Sequence, residues 1–411
     1  MTMPFGPRLL AGPPLTDGPE RLEAHRARLG DLPPSTGRRD VISVVEASGL
    51  LGRGGAGFPV GRKWRAVAEH SAGDAVVVVN GAEGEPRSAK DRALMECRPH
   101  LVLDGAAVAA EAVGAPDVIL YVGSEHTEAR RVLARAIAER EPDPGVRIQI
   151  VAAPVGYVAG EATAVVHYLN AADARPTFLD ARPHERGVAG RPTLVQNVES
   201  LAHVALIARF GDTWYREVGR GPTRGSALVT VSGTNTRRTV REIEYGTTIG
   251  EVARLSASTS TADAVLLGGY FGTWAALDEV RDEPLDPVMM RERGLAFGCG
   301  VVSFSDPRTC GVAATAEIMA YMAGATAAQC GPCVFGLAAI AQATRRLADG
   351  TAPDHDLERI EGWAAQVEGR GACHHPDGAI ALLRSALHVF ADDFARHQDH
   401  RRCPAARVDV A

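Results

Sequence analysis

Valine runs set the rhythm of the first half of the chain. Val76 to Val79 are four consecutive β-branched residues, and Val118 to Val122 and Val146 to Val151 are two further apolar runs. Uninterrupted apolar runs of this length predict strands buried on both faces. Between them, His100 to Val113 and Glu125 to Arg140 are rich in alanine and read as helices. Strand and helix in alternation predict a parallel sheet covered on both sides. Asp40 is expected to cap a short helix through Val41, Val44 and Val45 that ends near Gly49. Another helix is expected to begin near Glu161, and one more to span about Leu194 to Arg209.

The texture changes after Gly211. Ala227 to Ser232 and Thr239 to Ile243 read as strands around a turn at Gly233 to Arg238. Ile249 to Leu255 reads as a short helix, and Ala264 to Leu267 as a strand before Gly268 and Gly269. This predicts a small α+β unit. From Gly311 onward the pattern is helical: Ala313 to Ala323, Gly336 to Leu347, Leu357 to Val367 and Gly378 to His397. The expected organisation is an extended arm over 1–39, an α/β domain over 40–215, an α+β domain over 225–310 and a helical domain over 311–400.

Composition narrows the function. The 411 residues carry a formal net charge of −6, which gives no basic footprint and excludes nucleic acid as an expected partner. No apolar run approaches the roughly 18 residues that span a bilayer, so no membrane insertion of its own is expected. Five prolines in the first 20 residues replace any signal-peptide core. The expectation is a cytoplasmic protein, peripheral to a membrane complex if it serves one. Of 44 basic residues only Lys63 and Lys90 are lysine. An ammonium is a compact point charge and a guanidinium a wide fork, so a site that admits only the former resists replacement.

Both lysines follow unusual loops. Gly52, Gly54, Gly55 and Gly57 let backbone N–H groups approach an anionic or flat ligand, with Arg53 and Lys63 adding positive charge. Gly52, Gly54 and Gly57 formally fit a dinucleotide fingerprint. The preceding segment reads as a helix and Pro59 follows closely, so a standard Rossmann site is not expected. The Val76–Val79 run leads straight into Asn80, Gly81, Ala82, Glu83, Gly84, Glu85 and Pro86. Ligands of open α/β sheets bind outside the carboxyl ends of strands, where this polar stretch would lie. Asparagine is scarce, four in the chain, and Asn197 sits in a second polar cluster with Gln196 and Glu199.

Seven cysteines without an export signal argue against a disulfide framework. Cys97, Cys299, Cys310 and Cys403 stand alone and read as small buried hydrophobes or surface thiols. Cys330 and Cys333 enclose Gly-Pro at a helix start, and Cys373 follows with His374 and His375. Thiolates in such an arrangement hold iron–sulphur clusters. Zinc is the serious alternative, with His374 or His375 completing a Cys₃His set.

The order of these motifs resembles a known family. Arg53 to Trp64 is similar to the flavin mononucleotide (FMN) loop of the flavin- and NADH-binding subunit of respiratory complex I and its relatives in soluble hydrogenases and formate dehydrogenases. Asn80 to Arg92, Tyr157 to Glu161 and Pro192 to Glu199 match further segments of that site, and the resemblance covers about residues 40–400. It implies an α/β flavin-binding domain, a small α+β β-grasp (SLBB-like) domain and a C-terminal helical bundle with an iron–sulphur cluster. It also implies FMN over the glycine loop near Lys63, with Asn80, Tyr157, Glu161 and Asn197 around the ring and ribityl chain. Gln196 and Glu83 accompany these segments, and Phe58 and Glu85 keep the family's identities at the nucleotide.

The departures carry their own expectations. The family's first cluster cysteine falls at Ala327, leaving Cys330, Cys333 and Cys373 for a [4Fe–4S] or [3Fe–4S] centre, with Cys403 or His374 as candidates for the remaining corner. Around the nucleotide, family phenylalanines become Ala66 and Arg182, a lysine becomes Leu179 and a glutamate becomes Ala162. A lost base–aromatic contact costs about 1–3 kcal/mol, or about 5- to 150-fold in affinity, so weak NAD(H) binding is expected. The predicted function is an NADH dehydrogenase-like oxidoreductase subunit that passes electrons from FMN through its cluster to a ferredoxin or another oxidoreductase subunit. The alternative is a cofactor-poor scaffold with structural zinc.

Overall fold

Helix α1 (Leu22–Leu29) precedes α2 (Arg38–Ser48), and α3 (Val60–His70) follows the glycine loop. The valine run forms β1 (Val76–Gly81). Helices α4 (Lys90–Cys97) and α5 (Pro99–Val113) lead to β2 (Asp117–Gly123). Helix α6 (Thr127–Ala138) leads to β3 (Arg147–Ala153), and α7 (Ala162–Ala171) to β4 (Thr193–Asn197), which runs directly into α8 (Val198–Arg216). This is a computed structural model, and it describes residues 6–33, 38–140, 146–177, 181–233, 236–255, 262–305 and 308–399.

The four strands are parallel in the order β3-β2-β1-β4. Strands alternate their side chains between faces, and the valine run serves both. Val77 and Val79 join the core formed with α2, α3, α5 and α8. Val76 and Val78 join a second core with Val165 and Val166 of α7. The chain builds outward from β1 to β3 and then returns across β1 to place β4 on its other side. The order of winding therefore reverses between β1 and β4, the position at which open α/β sheets bind ligands.

Some expectations are corrected here. Leu194 to Asn197, expected to open a helix, lie in β4, with Val76 opposite Thr193 and Asn80 opposite Asn197. The Thr-Leu-Val sequence suits a strand, and the helix starts only after Asn197, whose Oδ1 accepts from Glu199 N and Ser200 N. Residues 22–29, expected within an extended arm, form α1. Its Leu, Glu, Ala and Arg are good helix formers, and His25 Nε2 anchors it 2.7 Å from Asp104 Oδ2 on α5. Asp40 stands inside the first turn of α2 rather than capping it.

The chain divides into two units. The first holds Met1–Thr230 with Val240–Thr247 and Pro284–Met289, and the second holds Val231–Thr239, Thr248–Glu283 and Met290–Ala411. The later elements begin with β5 (Ser226–Gly233), β6 (Thr236–Glu244), α9 (Ile249–Leu255) and β7 (Ala264–Leu267). They continue with β8 (Thr273–Ala276), α10 (Leu277–Val280), α11 (Pro287–Glu292) and β9 (Val301–Phe304). The second sheet runs β6-β5-β9-β7-β8, with β7 antiparallel to both neighbours. The turn expected at Gly233 to Arg238 lies partly outside the described residues.

The chain's last quarter is helical: α12 (Gly311–Gly324), α13 (Ala338–Asp349), α14 (Asp356–Val367), α15 (His375–Val389) and α16 (Ala391–Gln398). No helix among the described residues is long and apolar enough to cross a membrane.

Candidate functional site

The glycine loop is pinched shut at its base. Gly52 N donates to Phe58 O at 2.9 Å, and Val60 N to Leu50 O at 2.9 Å. Within it Gly55 and Gly57 adopt φ of 105° and 64°, a region that favours glycine. A Cβ built on Gly55 would meet nothing within 4 Å, so the loop leaves open space there, and one built on Gly54 would touch Asn197 Cβ at 3.6 Å. The loop thus lies against the carboxyl end of β4, beside the register pair Asn80 and Asn197. Phe58 stays 53% exposed at the loop's end.

Two asparagines set the floor. Asn80 Nδ2 donates to Gly160 O at 2.8 Å, tying β1 to the segment before α7. Asn197 caps α8 with its oxygen and donates its amide to Asp91 Oδ2 at 2.7 Å. Glu161 caps α7, accepting from Thr163 N and Ala164 N. Gln196 is buried, and its Oε1 has no hydrogen-bond partner. Glycine N–H groups in an open cradle fit an anionic group such as a phosphate.

Lys63 reaches the same place. Its Nζ donates to Val195 O of β4 at 2.6 Å. Burial pushes this ammonium down to about 8, while the charge of Glu161 pulls the other way. Arg53, by contrast, is corrected: its side chain faces the interior. Its guanidinium donates to Tyr215 Oη at 3.0 Å and Ser226 O at 2.8 Å, and lies 3.5 Å from Glu199. Its backbone N–H is held by Ser200 Oγ at 2.9 Å. Arg53 anchors the loop and offers no charge to a ligand.

The acidic loop divides its duties. Glu83, at φ 44°, accepts from Asp91 N and Arg92 N and so caps α4. Burial, then the charge of Asp91, pushes its carboxyl up to about 7. Glu85 accepts from Tyr157 Oη at 3.0 Å, joining this loop to the one after β3. A Cβ on Gly84 would fall 2.8 Å from Gly156 O, so only glycine lets the two loops close.

Sequence reasoning missed the buried network beneath. Lys90 Nζ lies 2.7 Å from Asp91 and 2.9 Å from Glu199, and Glu199 also accepts from Leu228 N. Burial opposes the Lys90 charge, but the two carboxylates outweigh it and raise its pKa. The scarcity of lysine was the only available signal.

The grouped cysteines lie in the second unit. Pro332 opens a π-helical turn, Pro332–Leu337, that carries Cys333, and such turns recur at functional sites. Burial acts against the Cys330 thiolate, yet the N–H groups of Ala372 and Cys333 outweigh it and lower its pKa. Cys333 is buried and pushed up to about 12, by desolvation first and then by the neighbouring charges of Cys330, Cys373 and Asp377. Cys330 and Cys373 thus both act on the Cys333 thiol. No three His, Cys, Asp or Glu among the described residues gather tightly enough for a single metal ion. Of the candidates for a further corner, His374 is exposed, and Cys403 lies outside the described residues. The other cysteines have local duties. Cys310 Sγ caps α12 by accepting from Ala313 N, and Cys299 Sγ donates to Gly268 O at 3.3 Å.

Residues 45–206 match the Nuo51 FMN-binding domain, and residues 313–397 match the NADH-ubiquinone oxidoreductase-F iron-sulfur binding region. The chain is 31% identical over 396 residues to the F 2 subunit of NADH-quinone oxidoreductase of Rhizobium meliloti (strain 1021), covering 93% of each. It is 30% identical over 390 residues to the corresponding F subunit of Mycobacterium bovis (strain ATCC BAA-935 / AF2122/97), covering 91% of this chain and 87% of that one. Among solved structures, an NAD+-reducing [NiFe]-hydrogenase in the H2-reduced state is similar with a TM-score of 0.81 at 29% identity. That likeness covers 92% of this chain and 65% of the hydrogenase chain.

Proposed function

The chain belongs to the family of NADH-quinone oxidoreductase F subunits, and from that premise we propose that its FMN lies over the glycine loop at the carboxyl edge of β1 and β4. The protein is an electron-transfer oxidoreductase subunit with FMN and an iron–sulphur cluster. FMN takes electrons in pairs and releases them singly, which links a hydride donor to a one-electron centre. The iron–sulphur match over residues 313–397 favours this reading over a zinc scaffold.

One observation carries the placement: Asn80 and Asn197 are register partners where the sheet reverses its winding, with Gly54 packed on Asn197. The N–H groups around Gly55 and Gly57, with the Lys63 ammonium, suit the phosphate. Asn80 and Asn197 fix the backbone beneath the ring, and Gln196 Oε1 offers an unused acceptor. Glu85, braced by Tyr157, and exposed Phe58 border the nucleotide approach. Cys330, Cys333 and Cys373 hold the cluster, with a non-cysteine ligand at the corner that faces Ala327. The five-stranded sheet with α9 supports a β-grasp (SLBB-like) reading of its region. The electron acceptor is a ferredoxin or another oxidoreductase subunit, and NADH is a weak donor because Ala66 and Arg182 supply no aromatic ring. Leu179 lies outside the described residues.

Gly55→Val tests the placement. A branched side chain in the open cradle, at a φ that disfavours it, should abolish FMN retention. Flavin bound at the native level by a folded variant would place FMN elsewhere.

A further inference from the structure

A buried lysine ties the sheet edge to the glycine loop. The Asp91 carboxylate accepts the Asn197 amide at 2.7 Å through Oδ2 and the Lys90 ammonium at 2.7 Å through Oδ1. In the other direction Lys90 Nζ lies 2.9 Å from Glu199 Oε2. Glu199 Oε1 accepts from Leu228 N at 2.8 Å and lies 3.5 Å from the Arg53 guanidinium. The Arg53 backbone N–H in turn fixes the glycine loop on Ser200 Oγ. One ammonium thus stands between Asn197, at the carboxyl end of β4, and Arg53, in the loop that packs on it. Lys90, Asp91, Glu199 and Arg53 are each at most 4% exposed, and the charge of Glu83 also acts on Lys90.

Packing alone does not call for charge here. Apolar side chains of similar volume often replace a buried ion cluster with no loss of stability. Charge has a use beside a ligand whose own charge changes. Two electrons and one proton convert oxidised FMN to a reduced ring that carries one more negative charge. A buried cation favours that form and a buried carboxylate opposes it, with little screening by salt in the interior. Resting on the FMN placement above, we propose that Lys90 is a positioning residue for the flavin. It holds Asp91 on Asn197 and Glu199 beside Arg53, and its charge raises the reduction potential of the flavin that lies over them.

The test is a reductive titration of the anaerobic, full-length protein against dyes of known potential, with flavin content and melting temperature read on the same samples. A unit charge acting across about 10 Å at an effective dielectric constant of about 20 biases an equilibrium by about tenfold. Lys90→Met should therefore weaken reduced FMN about tenfold more than oxidised FMN, a drop of about 30 mV in midpoint potential. Glu199→Gln removes a carboxylate from the same cluster and should raise the potential by a similar amount. The double variant should return close to the native value. A brace with no electrostatic part would loosen flavin in both single variants without shifting the potential in opposite senses. Potentials that stay unchanged, or that move the same way in both, would overturn the proposal while leaving the flavin placement intact. If Lys90→Met does not fold, the sign of the shift in Glu199→Gln decides. A folded native protein that takes up no FMN would overturn the placement and this inference with it.

Discussion

Lys63 is held where its own charge is disfavoured, and that is what makes it responsive to a ligand. Burial has already brought its ammonium down to about 8, so a bound phosphate stabilises a proton that solvent would otherwise remove. The FMN phosphate stays fully ionised above pH 7, leaving Lys63 as the group that titrates. FMN should bind the apoprotein roughly fivefold more weakly at pH 9 than at pH 8, and Lys63→Met should flatten the profile. Fluorescence titrations at the two pH values check this; a flat native profile would remove Lys63 from the phosphate site. Lys63→Arg should also weaken retention, because a planar fork does not reproduce the compact ammonium that donates to Val195 O at 2.6 Å. Residue chemistry was legible here to an uneven degree. Lysine scarcity marked Lys63, but sequence gives a side chain's charge and not its direction. Arg53 therefore read as a ligand contact while it lies in the interior with Tyr215 and Glu199.

Element boundaries decide how the site is built. Asn197 ends β4 and starts α8 in one step, capping the helix while bonding Asp91. Asn197→Ala should cost about 1–2 kcal/mol of stability from the lost cap, read as a lowered melting temperature of the apoprotein together with weaker FMN binding. This junction was hidden because Leu194 and Val195 continue the apolar periodicity of α8, and a parallel edge strand of five residues leaves little pattern of its own. The valine strands were legible because four β-branched residues in a row suit a doubly covered sheet and little else. Helix α1 was hidden for another reason: its stability comes from His25, buried between Glu20 and Asp104, with His100 5.6 Å away and Arg28, Arg140 and Arg209 around the carboxylates. Burial opposes the imidazolium, but those two carboxylates outweigh it and raise its pKa. Its contribution to stability is therefore fully present below about pH 6.5 and is lost as pH rises through the folded value. The melting-temperature gap between native protein and His25→Gln should narrow from pH 6 to pH 8; a constant gap would mean that His25 packs there uncharged.

At the scale of the whole molecule the chain combines an FMN-binding domain with an iron–sulphur binding region. The order of motifs made the family and its two cofactors legible, since the glycine loop, the paired polar segments and the grouped cysteines occur in family sequence. The buried Lys90–Glu199 network was not legible, because its members are far apart in the chain and meet only when β4 lies beside β1. In the bundle, Cys333 is pushed up to about 12, so ligating iron must release its proton, and cluster assembly should be favoured by rising pH. If the corner expected at Ala327 is without a thiolate, an iron there should be lost in air. Ala327→Cys should slow that loss, seen by electron paramagnetic resonance as a smaller three-iron signal after air exposure. The most direct test of the account is the cofactor content of anaerobically purified protein: FMN, iron, acid-labile sulfide and zinc per chain. The account predicts stoichiometric FMN with iron and sulfide in near-equal amounts, both lost when Cys330, Cys333 and Cys373 are replaced by serine. A colourless protein with zinc, no labile sulfide and no flavin after anaerobic reconstitution would contradict it.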